Sequence, residues 1–320
     1  MIDGRTIAAL TVALFGLTLS VTPAAAKRSE LRTNETVASA ALGRDINTSI
    51  YLPQDYNTAD GASRRYPVIY LLHGLGDDHM AWPMYGQIKA TLDRMIRRKE
   101  LQPVVVVMPD ADKSWYINDQ REDGYGRMAD ALRDDLVRAI DTRYRTAACR
   151  EGRAIGGLSM GGYGALLYGV SRPDLYTAIF SLSGAVFQEN LADNPERRKQ
   201  LAGLFGGVFG VPFDQARFAQ WNIFGRLNAL KPNVTYPSVW LSAGDDDFPS
   251  IVRGSVRVFQ RLQTRGIPAE LRIDDAPHVW SYWRKSIVPA LRWLSPRLVA
   301  DCANVNGQPV TPKSNRLPGR

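Results

Sequence analysis

The chain has 320 residues, 45% hydrophobic and 22% charged, enough for one continuous core in a single domain of about 270 residues. Forty Lys and Arg against 32 Asp and Glu leave a formal net charge of +8, but the basic residues are scattered without aromatic interleaving, so no nucleic-acid partner is expected. Three His and two Cys leave no metal-ligand spacing: Asp77, Asp78 and His79 have no further His or Cys beside them, and neither a metal nor an organic cofactor is expected.

In chain order, Arg5 precedes an apolar stretch from Ile7 to Val21 and then Thr22-Pro-Ala24-Ala25-Ala26, a signal-peptide pattern with an A-x-A site. Cleavage is expected after Ala26, so that residues 1–26 are removed and the chain is exported, either periplasmic or secreted. The alternative, a retained anchor, needs about 20 apolar residues against roughly 15 here, and no later segment reaches that length uncharged, so no stable membrane insertion is expected. Residues 27–300 form the expected folded domain. Thr36 to Tyr51 reads as an antiparallel pair at a sheet edge. Strands and helices then alternate: Pro67 to Leu72, Met84 to Arg98, Val104 to Met108, Met128 to Tyr144, Ile155 to Ser159 and Ala178 to Ser183. This alternation means an α/β fold with a mostly parallel sheet and helices on both faces. Residues 186–230 interrupt it with a charged run, glycines at 203, 206, 207 and 210 and several aromatics, an insertion near the carboxyl edge that reads as a lid or pocket wall. Ser238 to Gly244 and Leu271 to Asp274 are further strand signals, and Trp280 to Leu294 is an amphipathic helix. Cys149 precedes one strand and Cys302 follows the last helix; export permits a bridge, and two free thiols are the alternative. Residues 301–320 form a basic tail with three prolines and are expected to be disordered. The oligomeric state is not legible.

The segment Ala154-Ile-Gly-Gly-Leu-Ser159-Met-Gly-Gly-Tyr-Gly-Ala165 reads as a strand turning sharply into a helix, the way α/β-hydrolases present a nucleophilic serine. In so tight a turn, side chains two positions either side of Ser159 would collide, and Gly157 and Gly161 occupy those positions. A serine hydroxyl needs a base that is itself oriented by a carboxylate. His278 is the one histidine after Ser159, on a loop between a strand end and a helix. The acid is expected where Ser238 to Gly244 ends, in Asp245-Asp246-Asp247; on an extended segment Asp245 and Asp247 would share a side, and strand geometry leaves the choice open. Two amides are expected to face a developing oxyanion, those of Met160 after the nucleophile and of Leu75 in the Gly-rich loop His73-Gly-Leu-Gly76. His73 then braces that loop. Trp115 and Trp280, on loops near these residues, are expected to contact substrate, while Tyr282 and Trp283 start a helix and are expected to pack in the core. Asp110 and Asp112 either orient substrate or cap their loop.

Several linked segments together resemble the esterase D group of α/β-hydrolases, which includes S-formylglutathione hydrolases, feruloyl and acetylxylan esterases and the mycolyltransferases. These are Tyr51-Leu-Pro53, His73-Gly-Leu-Gly-Asp77, Ser114-Trp-Tyr116, Gly157-Leu-Ser-Met-Gly-Gly162, Gly244 to Phe248, and His278 with Trp280 to Trp283, within roughly Thr36 to Leu294. The resemblance implies Asp247 as the acid, three positions after Gly244, and departs from the group at Pro277, where a glycine or glutamate often precedes the histidine. It implies an exported serine carboxylesterase acting on small or polysaccharide-linked esters, short-chain acyl, acetyl or feruloyl. Acyl transfer to a sugar or lipid hydroxyl is the first alternative, and a non-catalytic carbohydrate-binding protein on the same scaffold is the second.

Overall fold

Four consecutive valines before Met108 have no polar face to offer water, and such a run belongs in the middle of a sheet covered on both sides. In the computed structural model, which describes residues 28–191 and 194–303, that is where it lies. Strands β3 (Val68–Leu72), β4 (Val105–Pro109), β5 (Arg153–Leu158) and β6 (Ala178–Leu182) are buried at every position. The flanking strands carry the polar residues: β1 (Glu30–Ser39) alternates exposed and buried towards its end, and β8 (Ala269–Asp274) is half-buried to exposed throughout. With β2 (Arg44–Leu52) and β7 (Ser238–Gly244) they form one eight-stranded sheet in the order β1-β2-β4-β3-β5-β6-β7-β8. Strand β2 runs antiparallel to both neighbours, and every pair from β4 to β8 is parallel. This is the α/β-hydrolase fold.

The helices in chain order are α1 (Ala81–Met84), α2 (Ile88–Arg97), α3 (Met128–Asp130), α4 (Leu136–Arg143), α5 (Met160–Ser171), α6 (Pro195–Leu204), α7 (Gln215–Trp221), α8 (Ile223–Asn228), α9 (Pro249–Thr264) and α10 (Trp280–Leu294). Helices α2 and α10 cover one face with Ile88, Leu92, Trp283 and Ile287; α4, α5 and α9 cover the other with Ile140, Leu166, Val258 and Leu262. The single helix expected from Met84 to Arg98 is two, because Gln87 takes a left-handed φ of 48° between them and Gly86 packs against Trp82. The helix expected from Met128 carries a π-turn at Ala131–Asp135. Strand β1 also begins at Glu30, ahead of the expected Thr36.

Residues 186–230 form α6, α7 and α8 around an aromatic knot. Phe205 has ring contacts with Phe209, Phe213, Phe218, Phe187 and Trp115 at 4.8 to 5.8 Å. Arg217 fastens this knot to the body, donating to the carbonyls of Val208 and Asn118 at 2.7 Å. Burial lowers the Arg217 pKa, with Asp119 and Asp214 opposing. Cys149 and Cys302 are joined as a disulfide, closing the segment after α10 onto the entry to β5. The expected signal peptide, and the expected tail beyond Ala303, lie outside the described residues.

Candidate active site

Strand β5 ends at Leu158 and α5 begins at Met160, so Ser159 alone makes the turn, with φ 51° and ψ −118°. That conformation is strained for a residue with a Cβ. It is held by contacts that leave no room at the neighbouring glycines. A Cβ at Gly157 would lie 2.7 Å from the Gly161 backbone, as the sequence suggests, and equally close to the Leu72 carbonyl. One at Gly161 would meet the carbonyls of His73 and Leu72 at 2.5 and 2.6 Å. The glycines therefore serve the approach of β3 as much as the turn. Ser159 N–H donates to Leu182 O at 2.9 Å, and Ala185 N–H donates to Ser159 O at 2.9 Å, so β6 and its exit clamp the turn from the other side.

His278 lies between β8 and α10. Its Nδ1 is 2.8 Å from Asp247 Oδ1 and its Nε2 is 3.0 Å from Ser159 Oγ. An ionised carboxylate only accepts, so Nδ1 carries the proton and Nε2 is free to accept from the serine hydroxyl. The Asp247 side chain is wholly buried, and the same Oδ1 accepts from Phe248 N–H at 2.6 Å. Strand alternation does not govern the three aspartates, because β7 stops at Gly244 and the chain turns. Asp245 faces out, accepting from Ala276 N–H at 3.3 Å, and its carboxylate lies within 4.8 Å of those of Asp246 and Asp275, all exposed. Asp247 alone turns inward.

Met160 is the first residue of α5, where backbone N–H groups lack intrahelical acceptors and the helix end is partially positive. A Cβ at Gly74 would sit 2.7 Å from Leu158 Cδ1 and 3.7 Å from Ser159 Cβ, which shows how closely the loop that continues into Leu75 passes Ser159. His73, 1% exposed, braces that loop as expected: Nδ1–H donates to Gly74 O at 2.8 Å, and Nε2 accepts from Ala111 N–H at 2.9 Å. Tyr116 O–H donates to His73 O at 3.0 Å, and burial raises the Tyr116 pKa far enough that the phenol stays protonated. Burial also pushes Asp77, in the same loop, above its ordinary value, against the pull of His73 and the Gly74 N–H. Asp110 and Asp112 cap their loop: Asp110 Oδ1 accepts from Asp112 N–H at 2.9 Å, and Asp112 pairs with Arg44.

The two tryptophans part company. Trp280, two residues after His278, is half-buried, its ring against Trp82, Tyr85 and Trp283 at 5.2 to 5.8 Å. Trp115 is 3% exposed. It lines a small cavity of about 10 Å³ with Tyr163, Phe187, Phe205 and Phe218 under the insertion. Two side chains flank the His278 ring that the sequence did not place there. Phe248, 60% exposed, lies 5.2 Å from the His278 ring, and buried Trp283 meets that ring edge-on at 4.8 Å. Phe248 follows Asp247 directly, and that adjacency was the available signal. Trp283 packs in the core as expected, yet it is also the wall against which the histidine rests.

Comparison with known proteins agrees with this geometry. Residues 39–294 match the Esterase family. The chain is 26% identical over 256 residues to an acetyl esterase of Caldicellulosiruptor saccharolyticus, covering 74% of this chain and 86% of that protein. It is 30% identical over 169 residues to an endo-1,4-beta-xylanase/feruloyl esterase of Xylanibacter ruminicola, covering 51% of this chain but only 23% of that longer protein. Among solved structures it superposes on a ferulic acid esterase with a TM-score of 0.69 and 23% identity, covering 84% of this chain and 98% of that one. The fold, the serine–histidine–aspartate arrangement and a match across most of the chain lead to one conclusion: the chain belongs to the Esterase family.

Proposed function

We propose that the protein is a serine carboxylesterase that hydrolyses acetyl or feruloyl esters, small or linked to polysaccharide, through an acyl-enzyme. The observation that carries this reading is the continuous relay from Ser159 Oγ through His278 to Asp247, at 3.0 and 2.8 Å. Ser159 Oγ attacks the ester carbonyl carbon while His278 Nε2 takes its proton, and the resulting imidazolium is held by Asp247. The carbonyl oxygen becomes an oxyanion facing the N–H groups of Met160 and Leu75, each such donor contributing about 3 kcal/mol to the barrier reduction. Collapse expels the alcohol, which takes the proton from His278. Water then repeats the sequence and frees the acid.

Substrate class is argued from the mouth. Leu75, Met84, Tyr85, Phe248 and Val279 are 38 to 60% exposed around the relay, with Trp280 among them, a surface suited to an aromatic acyl group. The acetyl and feruloyl esterases among the chain's relatives support the same choice. Export is supported by the Cys149–Cys302 bridge, which persists in oxidising compartments.

Incubating the protein with a fluorophosphonate probe, and assaying p-nitrophenyl acetate and methyl ferulate, tests the reading. Labelling and turnover of the wild type, both lost in Ser159→Ala, are expected; a folded wild type that neither labels nor turns over these esters overturns it.

A further inference from the structure

Helix α9, PSIVRGSVRVFQRLQT, has no acidic residue, and with the next position it places Arg253, Arg257, Arg261 and Arg265 four apart. Residues at that spacing are neighbours about 6 Å apart, and the row is about 18 Å long. Like charges at this spacing oppose helix formation, so three successive pairs are an unfavourable choice for the fold alone. Some cations elsewhere are ion-paired, as in Lys89 with Asp93, Arg133 with Asp130 and Arg153 with Asp141. Among the described residues no carboxylate lies within ion-pair distance of any arginine in this row. Three of these arginines donate to neutral groups: Arg253 to Pro249 O, Arg261 to Asn228 Oδ1 and Arg265 to Asn228 O.

Beside the row runs an open groove of about 380 Å³, walled by Arg257, Arg261, Gln260, Thr264, Gln188 and Phe224. Its one carboxylate, Glu189, accepts from Asn228 at 3.0 Å. The groove connects to the catalytic corner through the exit of β6. Ala185 N–H is bonded to Ser159 O, Val186 O crosses Gly254 so closely that a Cβ there would be 2.3 Å away, and Gln188 then forms the groove wall. Three residues of chain span at most about 11 Å, so the groove begins within that reach of the nucleophile's backbone contact.

We propose that the α9 arginine row and this groove bind the acidic sugars of a uronate-bearing polysaccharide, so that the polymer carrying the ester is held beside Ser159. The second half of this proposal rests on the esterase reading above. Guanidinium groups match carboxylates in pairs of hydrogen bonds, and the amides and hydroxyl of Gln188, Gln260 and Thr264 suit sugar hydroxyls. A membrane surface fits less well, because no large hydrophobic side chain is exposed between Arg253 and Arg265.

The test measures binding of the full protein to de-esterified polygalacturonate and to neutral linear xylan, with the double variants Arg257→Gln/Arg261→Gln and Arg97→Gln/Arg98→Gln. The second pair removes the same charge from the exposed end of α2, on the other face of the sheet. Polygalacturonate binding is expected to weaken about tenfold in the α9 variant, and steeply with added salt, while the α2 variant binds as the wild type does. Turnover of p-nitrophenyl acetate is expected to be unchanged in both. Equal weakening by the two variants, equal affinity for neutral xylan, tighter binding to phosphatidylglycerol vesicles or duplex DNA, or no polygalacturonate binding overturns the proposal. Arginine-dependent binding by a protein that hydrolyses no ester would instead overturn the esterase reading and leave the surface standing.

Discussion

The Ser159 corner and the insertion at residues 186–230 adjoin each other at the carboxyl edge of the sheet, and they are held in place by different means. At the corner, backbone meets backbone: Gly157, Gly161 and the carbonyls of Leu72 and His73 approach so closely that no side chain fits between them. In the insertion, ring meets ring, with Phe205 at the centre of a knot of aromatic side chains. Backbone contacts fix an atom to a fraction of an ångström and tolerate nothing larger than hydrogen. Ring contacts bury area and fix a segment, but they can repack. The site that must align Oγ with an imidazole uses the first means, and the wall beside it uses the second.

Ser159→Ala or His278→Ala is expected to lower ester turnover by roughly 10⁴- to 10⁶-fold while leaving the melting temperature nearly unchanged, read by steady-state kinetics beside a thermal melt. Gly161→Ala should cost more than about 4 kcal/mol of stability, because the added methyl meets two carbonyls rather than a flexible side chain, and surviving protein should lose activity as the His73 loop is displaced. Chemical denaturation measures the first effect; a cost under 1 kcal/mol would show that the corner yields. Phe205→Ala should cost about 3 to 5 kcal/mol with p-nitrophenyl acetate turnover within a few-fold of wild type. A loss of turnover as large as that of Gly161→Ala would erase the distinction between the two regions. The smallest effect sharpens the comparison: Ser159→Gly should be about 1 kcal/mol more stable than Ser159→Ala, because glycine relieves the φ of 51° that the corner imposes.

The corner was legible because its requirements are local. A tight turn needs glycines at fixed offsets, and Gly157-Leu-Ser-Met-Gly161 states them within five residues. His278 followed by elimination among three histidines. The aspartate did not yield to local reasoning, since the chain leaves β7 at Gly244 and turns before the three carboxylates, so alternation across a strand no longer applies. The place of the Trp115 ring was not legible for a related reason. Its loop leads towards the site, but the left-handed φ of 54° and the aromatic knot take its ring beneath the insertion, and neither is visible in Ser114-Trp-Tyr116. The break between α1 and α2 rests on Gln87, a residue with no preference that announces a left-handed turn.

The mostly parallel sheet and the sharp turn at Ser159 were readable from the chain alone, because hydrophobic period and glycine spacing are properties of contiguous residues. Folding settles the rest: Asp247 turns inward, the Trp115 ring lies beneath the insertion, Cys149 and Cys302 meet, and Arg257 and Arg261 line a groove whose one carboxylate is Glu189. Each of these depends on segments far apart in the chain packing against one another, and the distance between two such segments is set by everything folded between them.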